Sequence, residues 1–265
     1  MKYLMINGSP RKGNTWKLAE IVKKELMEKD READVKEIHL AELKLPFCTG
    51  CSNCFRKGRE YCPHKELMDR ILDGMEEADG IIVVSSSYIM RETGLLKNLF
   101  DHMAYMMHRP RFFRKKAMVV TSVGGVGAES AAKSIADTLK GIGFNKCYRI
   151  GCRTTSWNAY EPGEKIVGKL QKITTKFRLD VESGKLHYPS SSLLIPYNLF
   201  RGMGIYYVPG TEYEMEDGIY WTDEVRSKRA YENGIPLRLT QKIFGHLFFV
   251  IGKSAGKHMI VTYRK

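Results

Sequence analysis

KYLMINGSPRKGNT, residues 2–15, decides how the rest of the chain is read. KYLMIN is a short apolar run closed by Gly8, the pattern of a strand buried on both faces. The polar loop behind it runs straight into helical spacing over residues 15–28, with Leu18, Ile21, Val22 and Leu26 on one side. The rhythm recurs downstream. Residues 35–40, 80–84, 117–123 and 147–154 read as further strands, and residues 66–77, 95–103 and 130–142 as amphipathic helices. Such alternation predicts an α/β domain over residues 1–155, a doubly wound parallel sheet of five strands covered by helices on both faces. Ligands of these sheets bind beyond the carboxyl ends of the strands, so the loops there are where chemistry is expected.

Beyond residue 156 the rhythm stops. Residues 164–181 read as one long basic helix. Pro189, Pro196 and Pro209 then punctuate an aromatic stretch containing YNLF, IYYVPG and DGIYW, which reads as irregular. Residues 156–265 are expected to be an α-rich, partly irregular extension packed on the first domain. Within it, IFGHLFFVIG (243–252) is too short to span a bilayer and reads as core, a dimer contact or an interfacial element. The N-terminal apolar run is too short for a signal peptide, and no stretch approaches the roughly 20 apolar residues of a span. The expectation is a soluble, cytoplasmic protein.

The net charge is +13, with 16 Lys+Arg against 11 Asp+Glu in residues 156–265 and 27 against 19 in residues 1–155. The excess is spread over both halves, without a basic tail. No zinc-finger or RNA-recognition signature accompanies it, so nucleic acid is a weak expectation. A basic surface suits a phosphate-bearing cofactor or an acidic protein partner better.

The first loop, Gly8 to Thr15, meets the requirements of a phosphate cradle. Small residues let the backbone approach, Ser9 and Thr15 offer hydroxyls, Arg11 a charged fork, and the following helix its N-terminal dipole. The plainer alternative is a tight turn with Thr15 as N-cap.

GSPRKGNT resembles the FMN-phosphate loop of the NADPH-dependent FMN reductase family, whose fold is flavodoxin-like. Ser85-Ser86-Ser87-Tyr88, followed by Gly94, Lys97 and Asp101, resembles that family's segment beside the flavin ring. Thr121 to Gly127 resembles its third flavin-contacting loop. The likeness covers residues 1 to about 155. It implies that Ser9, Arg11, Asn14 and Thr15 hold the phosphate. Ser85, Ser86, Ser87, Tyr88, Ser122, Gly124, Gly125 and Gly127 would then line the ring. Two positions depart from the pattern: Ser86 stands where the family has Pro, and His102 where it has Arg.

Four of the chain's cysteines are gathered as Cys48-x2-Cys51-x2-Cys54-x7-Cys62, with Pro63 following. Short gaps let one loop wrap a [4Fe–4S] cube, and a terminal Cys-Pro is known from ferredoxin runs. Zinc, with His64 as a further ligand, and free thiols remain open from spacing alone. Disulfides are disfavoured in a reducing compartment. The run resembles the motif of the iron–sulfur flavoprotein branch, which implies a cluster on Cys48, Cys51, Cys54 and Cys62. Cys147 and Cys152 read as core residues. YMMHRPRFFRKK (105–116) reads either as a grip for a nucleotide phosphate or as a basic loop with two buried phenylalanines.

The resemblance implies an FMN-dependent oxidoreductase that takes hydride from NAD(P)H or single electrons from an acidic, ferredoxin-like partner. It further implies a small-molecule acceptor such as a quinone or nitro compound, and a homodimer. No side chain is assigned a catalytic acid or base role. The alternatives are the same reductase without a cluster, a pure electron carrier and a zinc-stapled interaction protein.

Overall fold

The computed structural model describes residues 1–157 and 159–258. Its first part alternates strand and helix: β1 (Lys2–Asn7), α1 (Asn14–Lys29), β2 (Asp34–His39), α2 (Leu40–Leu43), α3 (Asn53–Arg56), α4 (Lys65–Glu77) and β3 (Gly80–Ser86). There follow α5 (Gly94–His102), α6 (Tyr105–His108), β4 (Lys116–Val123), α7 (Ala128–Gly141), β5 (Lys146–Arg153) and α8 (Glu164–Glu182). All strand pairs are parallel, in the order β2-β1-β3-β4-β5. This is the flavodoxin-like doubly wound order, with its switch point between β1 and β3.

The central strands carry apolar side chains on both faces, and their alternation sorts the core into two layers. Leu4 and Ile6 of β1, with Ile81 and Val83 of β3, pack under α4, α5 and α7 through Ile71, Leu72, Leu96, Leu99 and Ile135. Tyr3 and Met5, with Ile82 and Val84, pack under α1 and α8 through Leu18, Val22, Leu26, Leu170 and Phe177. Each such side chain, fully withdrawn from water, contributes about 1.5–3 kcal/mol. Gly80 makes room for α8: a Cβ there would lie 2.7 Å from the Phe177 ring. Helix α8 is therefore a layer helix of the sheet, although it lies beyond the last strand.

The extension is α-rich, as expected, and its proline-punctuated stretch is helical too. Helices α9 (Ser191–Gly204), α10 (Glu216–Thr222) and α11 (Leu239–His258) surround a small apolar cluster of Phe113, Leu194, Tyr197, Trp221, Tyr231 and Ile235. Pro196 lies inside α9 and removes one ladder hydrogen bond, but Ser192, one turn back, is exposed, so water can serve its carbonyl. Burial of Leu194 and Tyr197, together with Asn198 Nδ2 donating to Leu194 O (2.8 Å) and Ala230 O (2.9 Å), outweighs that loss. Helices α9 and α11 touch backbone to backbone through glycine. A Cβ on Gly202 would lie 2.3 Å from Phe249 O, and one on Gly252 2.4 Å from Leu199 O.

That contact makes the first prediction. Gly252→Ala should force the two helices apart and cost about 1–3 kcal/mol. A lowered urea midpoint, with the sheet's helical and strand signals retained below it, would show the loss.

Candidate active site

The carboxyl ends of β1, β3, β4 and β5 open onto one cleft of about 470 Å³. Its walls include Arg11, Asn14, Thr15, Ser86, Ser87, Tyr88, Ser122, Gly124 and Gly125, so three loops distant in sequence meet there. Hydroxyls tie them together. Ser9 Oγ and Thr15 Oγ1 each lie 3.0 Å from Ser86 Oγ, and Thr15 Oγ1 also bonds Ser122 Oγ. Ser86 N donates to Ser9 Oγ at 2.9 Å, and Ser87 N to Ser122 O at 2.8 Å. Ser86 thus stands at the centre of this chain, a position that proline could not fill.

Three of the expected residues stand behind the cleft wall. Ser9 is buried, its N–H bonded to Asn7 Oδ1 (3.0 Å). Ser85 is fully buried in β3 and accepts from Thr93 N (3.3 Å). Gly127, at φ 99°, ends its loop as the residue before α7, where a Cβ would strike Met90 at 2.8 Å. The residue capping α1 is Gly13, not Thr15, and no side chain among the described residues caps that helix start. Its first N–H groups therefore face the cleft end without a side-chain partner. Asn14 is turned to the protein, its Nδ2 donating to Ser156 O at 2.5 Å.

The cleft also includes Ile89, Val123, Thr154, Ser156 and Trp157, which sequence reasoning did not select. The last three follow β5. The strand-end rule applies to that strand as much as to the others, so they were findable. Trp157 is 84% exposed, an unusual state for so large an apolar ring and a flat surface at the cleft mouth.

Two observations test whether a flavin nucleotide fits. Gly124 and Gly125 do not have positive φ, and a Cβ would meet only Thr154 O at 3.8 Å on the first and nothing within 4 Å on the second. The protein's own packing does not demand glycine at either position; a flat group laid against the loop would. Among the described residues Arg11 is the single charged side chain in the wall, at the α1 end where a phosphate would be received.

The second loop is strained. Tyr88 and Arg91 exchange backbone hydrogen bonds (2.9 and 3.0 Å) across a two-residue turn whose central residues, Ile89 and Met90, have φ 50° and 62°. That conformation is suited to Asn-Gly, and a β-branched residue in it is a marked outlier.

The cysteine run lies beside α5. Asn98 of that helix accepts from Cys48 N (3.0 Å) and donates to Leu45 O (3.1 Å) and Pro46 O (3.0 Å), fixing the start of the run. Left-handed Gly50 and Ser52 curl the chain around Cys51. Burial pushes the Cys54 thiol up to about 11. Cys62, Cys48 and Cys51 lie close enough to push it further, while Arg109 opposes them. Cys62 is raised likewise, by burial first, with Cys51 and Cys48 adding to it. The four thiols share one loop and feel one another's charge, and a cation that held them as thiolates would relieve that repulsion.

His64 and His102 border the same loop. His102 Nδ1 donates to Asn98 O (2.9 Å), and its Nε2 shares a hydrogen bond with His64 Nδ1 at 2.9 Å. Donor atoms of Cys62, His64 and His102 lie within 4.8 Å of one another. Arg109, 8% exposed, holds the loop from below: its guanidinium donates to the carbonyls of Cys54 and Phe55 and pairs with Asp217 of α10. Asp217 also accepts from His108 Nδ1 at 2.8 Å. In the 105–116 stretch, Phe112 and Phe113 are buried, as the second of its two readings expects.

A flavodoxin-like sheet with a cleft at the carboxyl ends of its strands defines the class of protein. Comparison with known proteins makes it specific. Residues 1–149 match the model of the NADPH-dependent FMN reductase family. An iron-sulfur flavoprotein of Archaeoglobus fulgidus is 38% identical over 138 residues, 51% of this chain and 66% of the relative. An iron-sulfur flavoprotein of Clostridioides difficile is 30% identical over 183 residues, 68% of this chain and 80% of that protein. Among solved structures, a flavone reductase superposes with TM-score 0.52 at 17% identity, covering 71% of this chain and 66% of its own. The chain belongs to the NADPH-dependent FMN reductase family. The match spans just under two thirds of the Archaeoglobus relative's length.

Two predictions follow from this geometry. Replacing the turn by Ile89→Asn with Met90→Gly should stabilise the protein by about 1–3 kcal/mol, since each left-handed non-glycine residue costs about 1–2 kcal/mol; thermal unfolding would report it. Asp217→Asn leaves Arg109 buried without its counter-charge and should cost about 3–5 kcal/mol. The same variant should loosen the cysteine loop, which faster alkylation of Cys54 would reveal.

Proposed function

We propose that this chain is an FMN-dependent oxidoreductase that also carries a [4Fe–4S] cluster on Cys48, Cys51, Cys54 and Cys62. The observation that carries the reading is that Cys48, Cys51, Cys54 and Cys62 share one loop, pinned to α5 at Cys48 N, and influence one another's ionisation. The start of the same helix is bound to the cleft loops: Thr93 caps it by accepting from Leu96 N (3.3 Å) and donates to Gly8 O. The iron–sulfur flavoprotein names of the relatives support the same assignment.

In this reading Arg11 and the free N–H groups at the start of α1 receive the phosphate, while Thr15 and Ser122 line its approach. Tyr88, Gly124, Gly125 and Trp157 bound the flat ring. Ser9, Ser85 and Gly127 hold the loops in place from behind, and Ser86 and Ser87 lock the second loop to the other two. FMN exchanges either one or two electrons, so it supplies the redox chemistry that joins a hydride donor to a one-electron centre. The cleft wall offers no carboxylate or imidazole among the described residues, so the chain's own part is binding, orientation and the exclusion of water.

NAD(P)H, or an acidic ferredoxin-like protein drawn to the basic surface, is the proposed electron donor, and a small quinone-like or nitro compound the acceptor. A homodimer working in the reducing cytoplasm completes the proposal.

Protein purified without oxygen should contain about one FMN and four irons with matching sulfide per chain, as a cube requires. Flavin bands should lie over a broad visible shoulder. Flavin without iron would leave an FMN reductase with free thiols. Zinc without sulfide would point to Cys62, His64 and His102 instead, and absence of flavin would overturn the proposal.

A further inference from the structure

Helix α11 turns a row of large apolar side chains outward. Leu239 (72% exposed), Ile243 (64%), Leu247 (53%), Val250 (50%) and Ile251 (43%) follow helical spacing on the face opposite Gly245, Gly252 and Gly256, which are buried. A single exposed leucine needs no explanation, but a continuous stripe on one helix marks a surface that something covers. One edge of the stripe is cationic, with Lys242, Lys253 and Lys257 all exposed. From Asn233 onward the sequence has six Lys+Arg and no Asp or Glu. Among the described residues, no helix is long and apolar enough to cross a membrane.

A second observation lies beside that edge. A pocket of about 520 Å³ opens between α9, the 228–237 segment and α11; its charged lining is Arg201, Lys228, Arg229 and Lys242 against Glu232, with the His246 imidazole beside them. Glu232 is engaged by Arg226 Nε at 3.1 Å. Arg201 is 4% exposed and stacks over Phe249 at 4.4 Å, yet its Nε has no hydrogen-bond partner among the described residues. Its Nη1 donates only to a carbonyl, that of Arg229. A buried guanidinium without a carboxylate, surrounded by further cations, is a site built for an anion with several acceptor oxygens.

We propose that the outward face of α11 and this pocket together form a docking surface for an anionic phospholipid bilayer. A lipid phosphate sits against Arg201, Arg229 and Lys242, and the Leu239–Ile251 stripe lies in the interface below the headgroups. Interfacial helices of this kind lie in the membrane plane with a basic edge and bury the apolar face by roughly 5–10 Å. Charge complementarity selects the occupant. A second copy of this chain would bring the same lysine edge toward itself, whereas an anionic bilayer matches both the cations and the apolar row. An acidic protein would satisfy the cations but leave the stripe without an apolar counterpart.

The test is flotation of the full chain with vesicles of phosphatidylcholine containing phosphatidylglycerol, against phosphatidylcholine alone. The protein should float with the first and not the second, and added salt should release it. Arg229→Gln with Lys242→Gln should lower the partition roughly 30-fold, from about 1 kcal/mol per cation near the surface. Ile243→Asn with Leu247→Asn should abolish flotation with the charge unchanged. Both double variants alter exposed residues, and unchanged thermal unfolding would confirm that they fold. Three outcomes overturn the proposal: equal binding to both vesicles; saturation by inorganic phosphate without flotation; or a dimer that binds no vesicle and dissociates on Ile243→Asn with Leu247→Asn.

Discussion

Parallel pairing of every strand is the constraint from which the rest follows. Strands that run the same way must end on the same edge, and the chain must return through a helix each time. Four loops of unrelated sequence are thereby delivered to one place, and two helical layers are left to cover the faces. The fully apolar runs in β1, β3 and β4 make this possible, because only a sheet buried on both sides tolerates them. The cleft is a by-product of that topology, sharpened by the reversal of direction between β1 and β3.

The cleft itself is held by neutral groups. Ser9, Ser86, Thr15 and Ser122 form a chain of hydroxyls that donate and accept in turn, and each bond is worth about a kilocalorie per mole net. Rotatable hydroxyls satisfy one another without fixing a charge in the floor. A bound group that changes its own charge would therefore meet a wall that does not compete with it, and Arg11 at one end sets the polarity of the whole.

Much of the sheet domain was legible because its signals are local. Apolar runs closed by Gly8 or opened by Gly80 locate strands, and the spacing of Leu18, Val22 and Leu26 locates a helix, each to within a residue or two of the structure. Much of the cleft was legible for the same reason, since Arg11, Thr15, Ser87, Tyr88 and the 124–125 glycines lie at strand ends. What the sequence hid was long-range. Nothing local says that Ser9 and Ser85 point behind the wall, or that Arg109 reaches the carbonyls of Cys54 and Phe55. Three prolines and an aromatic composition masked α9, α10 and α11, whose stability comes from glycine-mediated contact and from Trp221 and Tyr197, not from propensity.

The ion pair between Arg109 and Asp217 has a consequence for how this architecture can change. The cation is rooted between α6 and β4, while its counter-charge comes from a helix more than a hundred residues later. The cysteine loop rests on the cation, so the sheet domain is not a module that can be cut free or grafted onto another tail. Any exchange of the C-terminal part would have to bring a buried carboxylate to the same spot, or lose the arginine with it. The two parts of the chain are bound to vary together.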